Sequence, residues 1–474
     1  MNLKTVFLLP LCFAVCIYKL SAQALPSKTR WEGKLGELKI VLRVFEDSVS
    51  KENKAEIDVP QQMALGLKVS KLTITNDSIT AFIQTINAGY KGRLNAAKTE
   101  LTGTWQQGGG SIPLILKQVS AEIKRLQTPK APFPYLEEKI VYYNQDKSIQ
   151  YGATLTLPKS AKPVPAVILI TGSGPEDRDE TIFDHKPFWV IADHLSRNGI
   201  AVLRVDDRGV GQTTGGDPNA TSADFAKDVL VGIDYLKKHA GIDTKNIGLI
   251  GHSEGGVIAP LAALQSNDVA FIISLAGIGV KGSDIMHKQK YDAYKKTGQF
   301  TEDELSKITA LDKGLMAAAA KTTSNEELSA LLKNVFTEWK AQQTESFLKK
   351  MGFVGPNEGI IISRQVGAYF SPWMRYFIAY DPAITLTRLT IPVLALNGEK
   401  DVQVDAATNL AGFNSLLTQA GNKHFKVMQM PGLNHLFQQA TTGEVGEYGE
   451  IEETISPEVL DIMTKWIQTL KPRK

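Results

Sequence analysis

Residues 247–256 read Ile-Gly-Leu-Ile-Gly-His-Ser-Glu-Gly-Gly, and this stretch is the strongest indication of the fold in the chain. Its apolar start is typical of a buried strand, and the apolar run at 257–264 is typical of a helix. Between them Ser253 stands at the apex of a sharp turn, flanked by Gly251 and Gly255. Side chains at those two positions would collide with the neighbouring strand or helix. The spacing Gly-x-Ser-x-Gly is weak evidence alone, but its context of strand, turn and helix predicts a nucleophilic serine.

The serine needs a base, because its hydroxyl is a poor nucleophile until the proton is taken, and the base needs an acid that fixes its tautomer. In a site built on this turn, both partners follow the serine in the chain. Two of the seven histidines lie in the late part of the chain, His424 and His435. His424 opens a strand pattern, whereas His435 lies in the turn-rich stretch 431–435, which can present a ring to a cleft. His435 is therefore the predicted base.

The predicted acid follows the apolar strand pattern at 392–396, which runs into Asn-Gly-Glu-Lys-Asp. Asp401 is the favoured residue, and Glu399 is the alternative. Taken singly, an aspartate after a strand is usually a turn residue or a helix N-cap, and a loop histidine is usually solvated. Their order after the serine turn is what predicts a catalytic triad of Ser253, Asp401 and His435.

A loop of small residues follows the apolar strand pattern at 166–170 and begins Thr-Gly-Ser-Gly-Pro. Small residues let backbone N–H groups approach a developing oxyanion, so the N–H groups of Ser173 and Glu254 are the predicted oxyanion-hole donors. A plain glycine turn is the alternative interpretation of this loop.

A charged loop at 206–211, Asp-Asp-Arg-Gly-Val-Gly, follows the next strand pattern at 201–205. We interpret its charges as structural: arginine and carboxylate groups that form a network of ion pairs and hold loops near the site. Although the loop contains Gly-x-Gly, the spacing is wrong for a dinucleotide-binding fingerprint. Serine chemistry of this kind requires no cofactor and no metal, and none is expected.

Residues 1–22 have the pattern of a secretory signal peptide, with the early cation Lys4 and an apolar run that is too short to span a bilayer. An apolar N-terminal strand is the alternative. Both cysteines, Cys12 and Cys16, lie inside this segment, so the mature chain would contain no cysteine and no disulfide. The expected location is periplasmic or secreted.

The charge balance excludes some partners. The formal net charge of +3 falls to about +1 when Lys4 and Lys19 leave with the signal peptide. A nearly neutral chain offers no general attraction to nucleic acid. No later stretch is long and apolar enough to predict a membrane span, so stable membrane insertion is not expected.

The stretch 27–128 is predicted to be a small antiparallel all-β domain. Apolar and polar residues alternate at 38–44 and 112–116, and turn residues recur at short intervals between them. The pattern fits a sandwich or an open barrel. A packing or substrate-shaping role is favoured over a dedicated binding role.

The rest of the chain alternates strand and helix patterns, which predicts a mostly parallel sheet flanked by helices over 135–276 and 390–474. Between these parts, 277–389 has helical spacing and is predicted to be a helical cap insertion. Its aromatic residues are expected to form mainly the cap core, with the run 369–377 as the source of any pocket lining. They are Phe336, Trp339, Phe347, Phe353, Tyr369, Phe370, Trp373, Tyr376 and Phe377.

Five motifs together resemble those of a known family: Gly172-Ser173-Gly174-Pro175, Asp207-Arg208-Gly209-Val210-Gly211, Gly251-His252-Ser253-Glu254-Gly255, Asn397-Gly398-Glu399-Lys400-Asp401 and Leu433-Asn434-His435. Over 138–470 the chain resembles the α/β hydrolases, and within them exported bacterial carboxylesterases that carry a helical cap. The resemblance implies the α/β-hydrolase fold, and it implies Ser253, Asp401 and His435 as nucleophile, acid and base. The chain departs from the family in lacking a His-Gly-Gly-Gly oxyanion loop, so the second oxyanion donor does not follow from the resemblance.

The predicted function is hydrolysis of small-molecule carboxylic esters, with short-chain acyl groups, by a serine hydrolase. A serine peptidase of the prolyl oligopeptidase-like or aminopeptidase type is the alternative, in which Glu176, Asp177 or Asp179 would bind the substrate amine. A non-catalytic binding protein on the same scaffold is a further alternative. The substrate-binding residues and the oligomeric state do not follow from the sequence.

Overall fold

The computed structural model describes residues 28–471 except 37, 48–49, 63, 120–123 and 357. The chain divides into two compact units, Met1–Glu122 and Ile123–Lys474. The predicted signal peptide, 1–22, lies outside the described residues and stays a prediction. Among the helices of the described residues, none combines the length and the apolar character that crossing a bilayer requires.

The N-terminal unit is one curled antiparallel sheet. Within its described residues, nine strands pair in the order β4-β3-β2-β1-β9-β8-β7-β6-β5, and all the pairings are antiparallel. Strands β3 and β5, near opposite ends of this order, contact each other, so the sheet curls into an open barrel rather than a two-sheet sandwich. The prediction of a small antiparallel all-β fold is confirmed. The strands are β1 (Lys28–Leu35), β2 (Leu38–Glu46), β3 (Asn53–Val59), β4 (Ala64–Lys68), β5 (Lys71–Ile74), β6 (Ser78–Ile83), β7 (Ala88–Leu94), β8 (Glu100–Gln107) and β9 (Gly110–Val119).

The core of this sheet follows from the alternation in the sequence. Trp31, Leu42 and Tyr90 are almost fully buried on its concave side. The buried hydroxyl of Tyr90 donates to the carbonyl oxygens of Leu101 and Leu114, at 3.0 and 3.3 Å, so the polar end of this ring is satisfied.

The C-terminal unit is built on a second sheet, with strand order β10-β11-β13-β12-β15-β16-β17-β18. Strands β10 and β11 are antiparallel to their neighbours, and from β13 onward the pairings are parallel. The short β14 pairs with β11. Its strands are β10 (Tyr135–Tyr143), β11 (Ile149–Pro158), β12 (Val164–Ile170), β13 (Ala201–Val205), β14 (Thr214–Gly215), β15 (Ile242–His252), β16 (Val269–Leu275), β17 (Val393–Gly398) and β18 (Phe425–Met430).

Helices cover both faces of this sheet. Helices α2, α3 and α11 pack on one face, and α1 and α13 pack on the other, each layer with its own apolar core. This is the α/β-hydrolase fold that the sequence predicts. The helices are α1 (Pro187–Arg197), α2 (Ser222–Lys238), α3 (Gly255–Ala263), α4 (Gly282–Lys296), α5 (Glu302–Ala319), α6 (Asn325–Lys340), α7 (Glu345–Lys350), α8 (Glu358–Gly367), α9 (Pro372–Ala379), α10 (Ala383–Leu386), α11 (Ala406–Gln419), α12 (Val445–Tyr448) and α13 (Pro457–Thr469).

Helices α4 to α10 lie between β16 and β17 in the chain, where the sequence predicts the cap insertion. They have a separate apolar core. Most of the predicted aromatic residues are buried in it, as expected, namely Phe336, Trp339, Phe347, Phe353 and Tyr369.

The sheet order brings several loops to one edge. Parallel strands point their carboxyl ends the same way, so the loops after β12, β13, β15, β17 and β18 all leave from that edge. Chain segments far apart in sequence therefore meet there, and the predicted site residues lie in these loops.

Candidate active site

The turn that carries Ser253 is tight because glycines surround it. A Cβ on Gly251 would lie 2.0 Å from the carbonyl oxygen of Gly255, and a Cβ on Gly255 would lie 2.3 Å from that of Ile170. Ser253 has φ +52°, a left-handed conformation that costs a non-glycine residue about 1–2 kcal/mol. Its N–H donates to the Leu275 carbonyl at 2.8 Å, which holds the strained turn against β16. Such strain is typical of functional residues.

The loops after β17 and β18 bring Asp401 and His435 together. His435 Nδ1 lies 2.7 Å from Asp401 Oδ2, and both side chains are buried. The other carboxylate oxygen, Oδ1, accepts from the backbone N–H groups of Gln403 and Val404, each at 2.8 Å. The carboxylate therefore orients the ring with the proton on Nδ1 and the lone pair on Nε2.

The alternative acid, Glu399, is exposed and accepts instead from the backbone N–H of Gly432 at 2.8 Å. His435 lies beside the serine turn, since its ring centroid is 4.9 Å from that of His252, the residue before Ser253. Among the described residues, no hydrogen bond joins Ser253 Oγ to His435. Bonds of this kind are often long without substrate and tighten when it binds.

The loop after β12 packs directly against the serine. A Cβ on Gly172 would lie 3.4 Å from Ser253 Cβ, so the backbone of this loop lies next to the serine. The side chain of Ser173 lies close to the carboxyl group of Glu254, the residue after the serine. Ser173 and Glu254 are thus neighbours, and the role of their backbone N–H groups as oxyanion donors stays a prediction.

Sequence reasoning missed a buried ion pair behind the serine. His252 Nδ1 lies 2.8 Å from Glu180 Oε1, and this oxygen also accepts from the Gly172 N–H at 2.9 Å. His252 Nε2 lies 3.1 Å from the His435 carbonyl oxygen. Burial alone would lower the pKa of His252, but the Glu180 carboxylate and the hydrogen bonds raise it to about 9. A protonated His252 therefore ties together the loops that carry Gly172, Ser253 and His435.

A second contact missed from the sequence joins the helical insertion to the turn. The buried carboxyl group of Glu254 accepts from Ser222 Oγ at 2.6 Å and from Trp373 Nε1 at 2.7 Å. Burial raises the pKa of Glu254. Trp373 lies on α9 and Ser222 begins α2, so this one side chain holds both elements beside Ser253.

A cavity of about 570 Å³ opens beside the loop that carries Gly172 and Ser173. From the insertion, Ser371 and Trp373 line it, in the run where the sequence predicts pocket-lining residues. Among the described residues, no group of three or more His, Cys, Asp or Glu side chains is arranged to hold a metal ion.

The family model of X-Pro dipeptidyl-peptidase (S15 family) matches residues 147–432, which is more than half of the chain and includes the serine turn and the β17 loop. The chain belongs to the S15 family.

Relatives of this S15 chain include an enzyme named as an esterase. Esterase EstD of Thermotoga maritima is 25% identical over 315 residues, which are 66% of this chain and 65% of EstD. The α/β hydrolase GrgF from a Penicillium species has 17% identity and a TM-score of 0.41, with 70% of this chain and 98% of that chain covered. The Pyrococcus furiosus esterase Pf2001 has 12% identity and a TM-score of 0.41, with coverage of 70% and 91%.

In this S15 chain, carboxylates of the acidic loop that would bind a substrate amine in an aminopeptidase already have partners within the protein. Asp177 accepts from the N–H groups of Asp179 and Thr181, both at 3.0 Å. Asp179 is paired with Arg204 and Lys186. Two of the three carboxylates predicted as alternatives for amine binding are thus occupied.

The third of these carboxyl groups, Glu176, is half-buried. Burial, and then the nearby carboxylates of Glu180, Asp207 and Asp177, raise its pKa to about 8. Glu176 is therefore mainly neutral at pH 7, and a neutral carboxyl group binds an ammonium group weakly.

The charged loop after β13 forms ion pairs, but not within itself. Asp206 pairs with Arg178 of the β12 loop, and Arg208 pairs with Asp228 of α2 at 2.7 Å. The sequence predicted ion pairs of arginine and carboxylate groups near the site, and such pairs are present. Their partners come from other elements of the fold. Asp207 accepts from Thr171 Oγ at 2.9 Å, and burial raises its pKa to about 7.

Proposed function

We propose that this protein is a serine hydrolase that cleaves carboxylic esters through an acyl-enzyme intermediate. The observation that carries the proposal is the buried 2.7 Å contact between His435 and Asp401, beside a serine held at φ +52°. This arrangement supports His435 Nε2 as the base and Ser253 Oγ as the nucleophile.

The proposed reaction has two halves. His435 Nε2 takes the proton of Ser253 as Oγ attacks the ester carbonyl, and the N–H groups of Ser173 and Glu254 stabilise the oxyanion. His435 then gives the proton to the leaving alcohol, which leaves the acyl group on Ser253. In the second half, His435 takes a proton from water as the water oxygen attacks the acyl carbonyl. His435 then returns that proton to Ser253 Oγ as the bond between the acyl group and the serine breaks and the acid departs.

Two observations favour an ester over an amide substrate. EstD is named as an esterase, and the loop carboxylates Asp177 and Asp179 are occupied within the protein. The match to a family named for X-Pro dipeptidyl-peptidases supports a peptidase as the second candidate, because the same triad cleaves amides.

The test compares p-nitrophenyl esters with aminoacyl- and X-Pro-p-nitroanilides, using the wild type and Ser253→Ala. We expect ester turnover that Ser253→Ala abolishes without loss of folding, and little turnover of anilides. Turnover of anilides alone would replace the proposal with a peptidase. If a fluorophosphonate probe failed to label the wild type and neither substrate were cleaved, the protein would be a non-catalytic binder.

We further propose that residues 1–22 direct export of the enzyme to the periplasm or the exterior.

A further inference from the structure

The cavity beside the candidate site is a large apolar space between the sheet and α2. Its volume of about 570 Å³ is within the usual range for ligand pockets. It is several times the roughly 150 Å³ of an apolar cavity that holds benzene. Among the side chains that line it are Ile168, Ile170, Val205, Phe225, Val229 and Trp373.

One end of the cavity lies at the loop beside the serine. Gly172 and Ser173 line it, and Gly172 packs against Ser253. Trp373 also lines it and donates to Glu254, the residue after the serine. A group bound in this cavity would therefore extend to the loop that packs against Ser253.

The other end reaches far across the sheet. Tyr142 on β10 lines the cavity, and the strand order β10-β11-β13-β12 separates it by three steps from β12, whose loop carries Gly172 and Ser173. At about 4.8 Å between neighbouring strands, this is ~14 Å. The cavity is thus long enough for an extended chain or a ring system.

The polar groups at the far end are already neutralised. The carboxylate of Asp228 accepts from Tyr151 Oη and from Arg208 Nε, the latter at 2.7 Å. Because these charges are satisfied by each other, the cavity fits an uncharged, apolar group.

The topology decides which half of the ester enters the cavity. Asp401 and His435 follow β17 and β18, on one side of β15, whereas the cavity lies on the other side, along β12, β13 and β11. His435 must reach the leaving alcohol to protonate it, so the alcohol lies on the His435 side. The acyl group then points to the opposite side.

We propose that this cavity is the acyl-binding site, and that the preferred esters carry a long or ring-containing apolar acyl group. The inference rests on the proposed function and differs from the short-chain preference predicted from the sequence. Each additional buried methylene is expected to raise kcat/KM by up to about fourfold until the cavity is filled.

The test uses two series of esters. One has p-nitrophenol as the alcohol and acyl groups from acetyl to octanoyl, with benzoyl, and the other has an acetyl group and alcohols of increasing size. Val229→Phe fills the cavity from α2, and Val231→Phe, on the same helix and outside the cavity lining, is the matched control. Ala220→Leu is a smaller filling change if Val229→Phe folds poorly.

We expect the wild type to prefer octanoyl over acetyl, and we expect a filling variant to lower the octanoate to acetate ratio of kcat/KM at least tenfold. The alcohol series and Val231→Phe should show no such change. A wild type that prefers acetyl, or a filling variant that alters the alcohol series instead, would overturn the inference.

The outcomes separate this inference from the proposed function. Turnover that depends on Ser253, without acyl preference, would refute the acyl site and leave the ester hydrolase intact. Absence of turnover for every ester, with an unlabelled Ser253, would refute both.

Discussion

Replacement of Asp401 by asparagine should disable the base through its tautomer while leaving the fold intact. Asp401 Oδ1 accepts two backbone N–H groups, from Gln403 and Val404, each at 2.8 Å. In Asp401→Asn the amide oxygen must occupy that place, because an NH₂ group there would face two donors. The NH₂ group is then directed at His435 Nδ1, 2.7 Å from the present Oδ2 position.

That geometry reverses the tautomer of His435. Nδ1 must accept from the amide, so the ring proton moves to Nε2, which can no longer take the proton of Ser253. In the well-studied serine protease triad the equivalent change costs about 10⁴ in kcat, or ~5 kcal/mol of barrier. We expect a loss of similar size here. The free energy of unfolding should change by less than about 1 kcal/mol, because every hydrogen bond of this group is replaced.

The assay is kcat and KM for a p-nitrophenyl ester across the pH range, with thermal unfolding measured in parallel. Glu399→Gln is the matched control, since the exposed Glu399 carboxylate accepts only from the Gly432 N–H in the described residues and the change should leave kcat within about twofold. Retention of more than about a tenth of the activity in Asp401→Asn would refute the reasoning. A large loss in Glu399→Gln would transfer the role to that residue.

Three further changes probe the surroundings of the site. Burial raises the pKa of Glu176 from 4.5 to about 8. The folded state therefore favours the neutral carboxyl group, and Glu176 lowers the stability of the fold as the pH rises from about 4.5 to about 8. Glu176→Gln should raise the melting temperature more at pH 9 than at pH 5. Trp373→Phe removes a donor from the buried Glu254, which should lower the free energy of unfolding by about 1–3 kcal/mol and raise KM. Trp339→Phe is the control, because it loses an indole hydrogen bond within the insertion and should lower stability without raising KM. Because residue 253 has φ +52°, Ser253→Gly should be about 1 kcal/mol more stable than Ser253→Ala in urea unfolding, and equal stability would contradict strain at the turn.

Much of the fold was predictable because its signals are local. The turn at Ser253 depends on glycines within two residues of it, and the strands on either side depend on short apolar runs. The same holds for the insertion, whose helices α4 to α10 lie within the stretch 277–389 where the sequence has helical spacing. The loops of Asp401 and His435 were found by the same means, as turn residues directly after strand patterns.

The partners of charged side chains were not predictable in this way. Asp206 and Arg208 are only two positions apart, yet Asp206 pairs with Arg178 and Arg208 pairs with Asp228, both from other elements. Their partners come from the elements that pack around the loop, α2 for Arg208 and the β12 loop for Asp206, and this packing is not encoded within the loop itself.

The strands and helices, the order of the two folds, and the candidate nucleophile, acid and base could be predicted from residue spacing, because each depends on a few consecutive positions. Only the tertiary structure decided that Glu180 lies against His252, that Trp373 reaches Glu254, and that a long cavity lies on the side of Ser253 opposite His435. These features join segments tens to more than a hundred residues apart. They follow from the order in which the strands lie in the sheet, and spacing along the chain carries no record of that order.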